Sequence, residues 1–254
     1  MNTLKSKLRR KELTIGSWIT LAHPGVAEIM ARAGFDWLVV DLEHSAITIG
    51  QAADLIRIID LCGSVPLVRL SCNDAVQIKR VMDAGAHGII VPMVNTVEEA
   101  ENAVSAVCYP PEGKRGVGLA RAQGYGNWFH EYKEWVNRES VIVVQVEHVD
   151  SVRNLKDILA VERIDGFIVG PYDLSGSLGI PGEFENELMI GAMSEIKKSM
   201  QNSPKVSGYH VVEPEIAQLM ERVKEGYRFL AYSVDFRMLD SCCRLALKDL
   251  RSNI

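Results

Sequence analysis

Residues 141–179 read VIVVQVEHVDSVRNLKDILAVERIDGFIVGPYDLSGSLG. Two short apolar runs, 141–146 and 166–169, flank an amphipathic segment. Both runs are rich in Val and Ile and show little alternation. That is the pattern of strands buried on both faces, as parallel strands are. The same alternation extends outward along the chain, with further runs at 15–19, 37–40, 66–70, 88–94, 205–209 and 229–233. Eight such strands with amphipathic segments between them predict a parallel sheet with right-handed crossovers, closed into an α/β (β/α)8 TIM barrel. The 254 residues suit one such barrel, and no domain boundary or internal repeat interrupts them, so residues 1–254 are expected to form a single domain. An open doubly wound sheet is the rival topology. It is disfavoured because no Gly-rich phosphate loop follows the first strand.

Helix punctuation falls between the runs. Pro24 stands at a first helical position, and Thr48 with Gln51 and Thr96 with Glu99 form capping-box patterns. Asp74 is placed to cap a helix ending near Ala84, and Pro214 opens one over 215–225. Gly34, Gly63, Gly85 and Gly226 stand where helices end. A last helix is expected over about 236–250. One segment, residues 108–140, breaks the rhythm with Pro110, Pro111 and five glycines followed by aromatic residues. A loop of that length is usually functional or interfacial.

Bulk properties exclude several classes. The net charge is −5 and the basic residues are dispersed, which disfavours nucleic acid as a partner. No apolar stretch reaches the length of a membrane span. The basic run from Lys5 to Lys11 has no apolar region after it and reads as the polar face of a first helix. Five cysteines, two of them adjacent at Cys242 and Cys243, give neither a disulfide framework nor zinc spacing. Buried, reduced thiols and a cytoplasmic location are therefore expected.

In a barrel the carboxyl ends of the strands meet on one rim, where catalysis takes place. Asp41, Glu43 and His44 follow the second run, and Arg69 ends the third. Gln145 and Glu147 stand at the fifth, and Asp173 follows the sixth. Glu147 or Asp173 alone reads equally well as a helix cap. Together on neighbouring strand ends they repel, and a hard divalent cation with oxygen ligands resolves that repulsion. Mg²⁺ or Mn²⁺, with Co²⁺ as a further candidate, suits the pair better than structural zinc. His44 is the candidate base, and the planar fork of Arg69 suits a carboxylate or enolate oxygen. Trp18 is expected to wall the pocket, with core filling an equal alternative. Pro171 and Tyr172 join the expected substrate-binding residues, as does His210 at the end of the seventh strand. No predicted strand end offers a lysine for an imine, since Lys205 begins the seventh run at the opposite rim.

VDLEH at 40–44, PLVRL at 66–70, YPPEGKRGVG at 109–118, QVE at 145–147 and GPYDLSGSLG at 170–179 resemble the HpcH/HpaI aldolases. The likeness runs from Gly16 to Asp235. It implies a metal-dependent aldolase that makes and breaks 4-hydroxy-2-oxo acids through the enolate of pyruvate, with a small keto acid and an aldehyde as partners. On that resemblance Glu147 and Asp173 hold the metal, Arg69 steadies the keto acid, and His44 moves protons. Asp41 or Asp83 orients His44, with Asp83 supplied by a neighbouring subunit. It further implies a homo-oligomer, a hexamer built as a trimer of dimers with a swapped C-terminal helix. Three positions depart from the family pattern: Tyr232-Ser233-Val234-Asp235, the pair Tyr209 and His210, and His148 where Thr or Ser is usual. All three are expected to narrow or repolarise the pocket. A citrate-lyase β-like acyl-CoA lyase and a catalytically silent small-acid binding protein are the alternative functions.

Overall fold

A computed structural model describes residues 3–252. Eight parallel strands close into a barrel in sequence order. They are β1 (Thr14–Ile19), β2 (Trp37–Asp41), β3 (Val65–Arg69), β4 (Gly88–Val91), β5 (Val141–Val146), β6 (Gly166–Val169), β7 (Val206–Val211) and β8 (Phe229–Val234). The expected runs match these strands closely. The fourth is the exception, because the chain leaves the sheet at Val91 and Met93 turns to positive φ.

Inward and outward side chains explain why the runs lack alternation. Outward residues such as Leu38, Val40, Ile89, Ile142, Val144 and Phe167 pack under the helices. Inward residues Trp37, Val39, Leu67, Ile90, Val141, Val143, Val206 and Phe229 form a second cluster inside the barrel. The rings of Trp37 and Phe229 stack at 4.1 Å. Gly16 makes room for them, because a Cβ there would stand 2.0 Å from the Trp37 ring. Continuing the period of two along β2, β3, β5 and β7 brings Asp41, Arg69, Gln145 and His210 to the next inward layer, at the carboxyl end.

The helices begin where their caps predict. α1 spans Leu4–Arg9 and α2 Pro24–Arg32. Thr48 and Gln51 close a capping box on α3 (Ile49–Leu61), and Thr96 and Glu99 do so on α5 (Val97–Val107). Asp74 caps α4 (Ala75–Ala84), which Gly85 ends at φ 104°. Residues 108–140 are more ordered than a loop. They hold a 3-10 turn at Arg121–Gly126 and helix α6 over Phe129–Glu139. Then follow α7 (Val149–Ala160), α8 (Pro171–Ser177), α9 (Glu187–Asn202), α10 (Ile216–Lys224) and α11 (Asp235–Ser252). No helix among the described residues is long and apolar enough to cross a membrane.

Two expectations are corrected here. Lys5 is not on a solvated face. It is buried, donates to the Ser140 carbonyl at 2.7 Å and pairs with Asp165 at 3.0 Å, while Leu4 and Leu8 join the inner cluster. Burial lowers its pKa against the opposing pull of Asp165. The thiols are not uniformly buried either. Cys108 is buried and Cys62 half-buried, but Cys72, Cys242 and Cys243 are exposed.

Candidate active site

Arg69 organises the carboxyl-end rim. Its Nε donates to Asp41 Oδ1 at 2.8 Å and its Nη2 to Oδ2 at 2.6 Å, a two-pronged pair on adjacent strands. Asp41 also accepts from the main-chain N–H groups of Glu43 and His44. Burial pushes its carboxyl up, but the Arg69 bonds and those N–H groups outweigh it, and the net shift is downward. The third arm, Nη1, stands 3.2 Å from Glu43 Oε2, and the guanidinium lies 4.5 Å over the Trp18 ring. Asp41 thus holds Arg69 and meets His44 only at its backbone. The His44 ring is exposed, with Glu43 Oε2 as its nearest carboxylate oxygen at 3.9 Å.

Glu147 is buried just past β5. Its Oε1 accepts from the Met93 N–H at 2.6 Å, and its Oε2 from the Gln145 amide. Met93 sits at φ 51°, a conformation that costs energy for a residue with a side chain, and in it the N–H faces the carboxylate. No side-chain motif signals that contact, so the sequence alone does not reveal it. Asp173 lies in the first turn of α8 without a capping bond, and the cap of α7 is His148, whose Nδ1 accepts from Asp150 N. Neither acid is therefore tied up in a capping hydrogen bond. Burial raises Glu147 to about 7 against the Met93 N–H, helped by the charges of Glu43 and Asp173. Glu43 also rises to about 7 through burial, with Arg69 opposing and Asp41 and Asp173 adding.

These acids suit a hard divalent cation. The donors are carboxylate oxygens, and three like charges act on one another across the rim. The buried Gln145 Oε1 has no partner among the described residues. A Cβ at Gly170 would stand 3.4 Å from Glu147 Cβ and 3.5 Å from its Oε2, so the glycine keeps the space beside that carboxylate open. No group of three or more His, Cys, Asp or Glu among the described residues is arranged around one ion. Two carboxylates with the other positions left to water or substrate is a usual arrangement for Mg²⁺.

Two spaces meet at this rim. A cavity of about 50 Å³ is lined by Trp18, Arg69, Gln145, Pro171, Tyr172, Asp173 and His210, among others. A wider basin of about 680 Å³ opens over Met93, Glu147, His148, Tyr172, Asp173 and Pro181. The structure thus brings Trp18, Arg69, Gln145, Glu147, Pro171, Tyr172, Asp173 and His210 together. It leaves His44 at the edge and Asp83 away, on α4, paired with Arg115. Arg115 is itself buried over the Tyr109 ring and donates to Tyr132 at 3.2 Å, which accounts for part of the order in residues 108–140.

Only part of the expected narrowing occurs. Tyr209 faces outward, against Tyr227 and beneath Arg222. Tyr232 packs with the outer core, and Asp235 accepts from Thr20 N and Leu21 N at 2.8 Å. His148 takes the capping role open to Thr or Ser and borders the basin. His210 alone of these reaches the cavity. Its Nε2 meets the Ser233 carbonyl at 3.1 Å and its ring lies 5.2 Å from Trp18.

Known proteins share this frame. The model of the HpcH/HpaI aldolase/citrate lyase family matches residues 14–241. A hydroxypyruvate/pyruvate aldolase of Roseobacter denitrificans is 36% identical over 241 residues, covering 94% of this chain and 93% of that protein. A 2-keto-3-deoxy-L-rhamnonate aldolase of Escherichia coli is 37% identical over 236 residues, covering 92% and 87%. The crystal structure of an HpcH/HpaI aldolase/citrate lyase family protein from Burkholderia cenocepacia superposes with a TM-score of 0.93 at 31% identity, covering 99% of this chain and 100% of that one.

Proposed function

The chain belongs to the HpcH/HpaI aldolase/citrate lyase family, and from that premise we propose that it is a carbon–carbon lyase for 4-hydroxy-2-oxo acids. Cleavage yields pyruvate, or a near 2-oxo acid, and an aldehyde; the reverse reaction joins them. The observation that carries this is Arg69, clamped by Asp41 and lining a small cavity with Gln145 and Asp173, while Glu147 borders the adjoining basin.

Glu147 and Asp173 would hold a divalent cation, Mg²⁺ or Mn²⁺ with Co²⁺ as a further candidate, which supplies concentrated positive charge beside the 2-oxo acid. Arg69 Nη1 is the arm of the guanidinium not taken by Asp41, and it offers an N–H to the substrate's carboxylate or 2-oxo oxygen. Charge appears on that oxygen as the C3–C4 bond breaks, so a positive group already fixed in place stabilises the transition state. Trp18, Pro171 and Tyr172 restrict the small cavity to the keto-acid end, and the basin beside it gives the aldehyde half room to leave. We assign the C4 hydroxyl proton to His44. Its carboxylate neighbour is Glu43, and Asp41 is committed to Arg69. The electron pair of the broken bond passes to the enolate, which then takes a proton at C3.

The assembly follows the same reading. Phe236, Leu239, Leu245, Leu247 and Leu250 of α11 are exposed on a single chain, which supports a helix covered by another copy. We propose a hexamer built as a trimer of dimers in which Asp83 approaches a neighbour's rim. A screen for pyruvate release from 4-hydroxy-2-oxo acids, with EDTA and with Mg²⁺, Mn²⁺ or Co²⁺ restored, tests the activity. Metal-dependent release is expected. Stoichiometric binding without turnover would make the protein a silent binder, and turnover surviving full chelation would remove the cation.

A further inference from the structure

We propose that His210 sets specificity: its Nδ1 accepts a hydrogen bond from a substrate hydroxyl, so hydroxylated substrates are favoured over their deoxy counterparts. This rests on the aldolase reading above and names the substrate class for the same site.

The tautomer follows from the surroundings of the ring. Its Nε2 lies 3.1 Å from the Ser233 carbonyl, which can only accept. Ser233 stands at φ 53°, where the β1–β8 register shifts, and its Oγ is anchored to the Val212 carbonyl at 3.0 Å. The carbonyl is therefore held in place by a bulge. Burial pushes His210 down to about 3 against that carbonyl, with Arg69 adding to the fall. A neutral ring whose proton is on Nε2 leaves a lone pair on Nδ1. Nδ1 has no partner among the described residues, and His210 lines the cavity with Arg69 and Gln145.

A second group points the same way. Gln145 donates its amide N–H to Glu147, and its buried Oε1 accepts from nothing among the described residues. Residues lining the cavity therefore carry two acceptors without a partner, beside one unpartnered donor, the Trp18 Nε1. An ionised 2-oxo acid without a hydroxyl carries acceptors only. Its oxygens suit Arg69 but leave both acceptors dry and unpaired, a costly arrangement. A hydroxyl brings the missing donor. It comes either from C3 of the nucleophile, as in hydroxypyruvate, or from the carbon next to the aldehyde group, as in glycolaldehyde.

The test compares ratios of kcat/KM in two arms, so that intrinsic reactivity cancels between variants. One arm sets hydroxypyruvate against pyruvate with a fixed aldehyde. The other sets glycolaldehyde against acetaldehyde with pyruvate fixed. His210→Phe should lower the hydroxyl preference about tenfold in one arm, and the arm that moves identifies the source of the hydroxyl. His210→Asn places an amide oxygen near Nδ1 and should keep the preference within about threefold. His210→Gln reaches the Ser233 carbonyl without replacing that acceptor and should behave like the Phe variant. Preferences unchanged in both arms overturn the proposal, and so does an Asn variant indistinguishable from Phe. Calorimetric binding of hydroxypyruvate and pyruvate to the same variants gives a readout without turnover. Binding preference that depends on His210 in a protein with no turnover would sink the aldolase reading and spare this one. A wild-type protein that binds neither acid would sink this one.

Discussion

Arg69 has three nitrogens and uses them differently. Nε and Nη2 are bonded to Asp41, while Nη1 stands 3.2 Å from Glu43 Oε2. Arg69→Ala should lower kcat/KM for cleavage by about a hundred- to a thousandfold, because it removes the charge that meets the developing oxyanion. Mn²⁺ binding measured by calorimetry should survive, since Glu147 and Asp173 are untouched. The same change strands a buried Asp41, 1% exposed, and should cost roughly 3–5 kcal/mol in denaturant unfolding. His210 gives a second prediction at this scale. Its folded pKa lies near 3 against 6.5 in the unfolded chain. Between those values the unfolded chain binds more protons, so stability is fully present above 6.5 and is lost as pH falls toward 3. His210→Asn should flatten that part of the curve. Melting temperatures of the two proteins that fall in parallel from pH 6.5 to 4 would show that the ring is not held neutral.

The strands and caps were legible because each rests on local chemistry. Parallel strands buried on both faces must be apolar throughout, and capping boxes need particular side chains three residues apart. Thr48 with Gln51 and Thr96 with Glu99 are such pairs. Which neighbour of a pair faces inward is only half legible: the sequence names His210 as substrate-binding but sets Tyr209 in the pocket beside it. Tyr209 and His210 are adjacent and both polar-tipped, but only the barrel's register places His210 over the cavity and Tyr209 under α10. The Met93 contact was hidden for another reason, since it uses a backbone N–H that every residue but proline carries. Residues 108–140 concealed α6 because the glycines and prolines ahead of it mask a short amphipathic helix held on by Tyr132 and Val136. A prediction belongs to β1. Gly16→Ala would drive a methyl into the Trp37 ring, itself stacked on Phe229, and neither ring has room to retreat. A loss of about 1–3 kcal/mol is expected from this overpacking. Unfolding by urea within about 0.5 kcal/mol of wild type would mean that the inner layer is looser than it looks.

The whole molecule gathers like charge at one end of the barrel and depends on something else to balance it. Glu43, Glu147 and Asp173 arrive from three separate strand ends, and among the described residues the cationic side chain paired with any of them is Arg69, which meets Glu43 and is already engaged by Asp41. Without a divalent ion, the folded state holds protons on Glu43 and Glu147 up to about pH 7, whereas the unfolded chain releases them near 4.5. A raised folded-state pKa gives stability that is fully present below 4.5 and is lost as pH climbs through 7. For the buried Glu147 the loss is on the order of 3 kcal/mol. A cation binds the ionised carboxylates in competition with those protons, so it should stabilise most where they have been released. The melting temperature of EDTA-treated protein should therefore fall between pH 5.5 and 8, and saturating Mg²⁺ should raise it more at pH 8 than at 5.5. Glu147→Gln should remove most of that Mg²⁺ increment and make the chelated protein less sensitive to alkali. An increment equal at both pH values, or one retained by the Gln variant, would place the cation elsewhere and leave the rim acids without their proposed role.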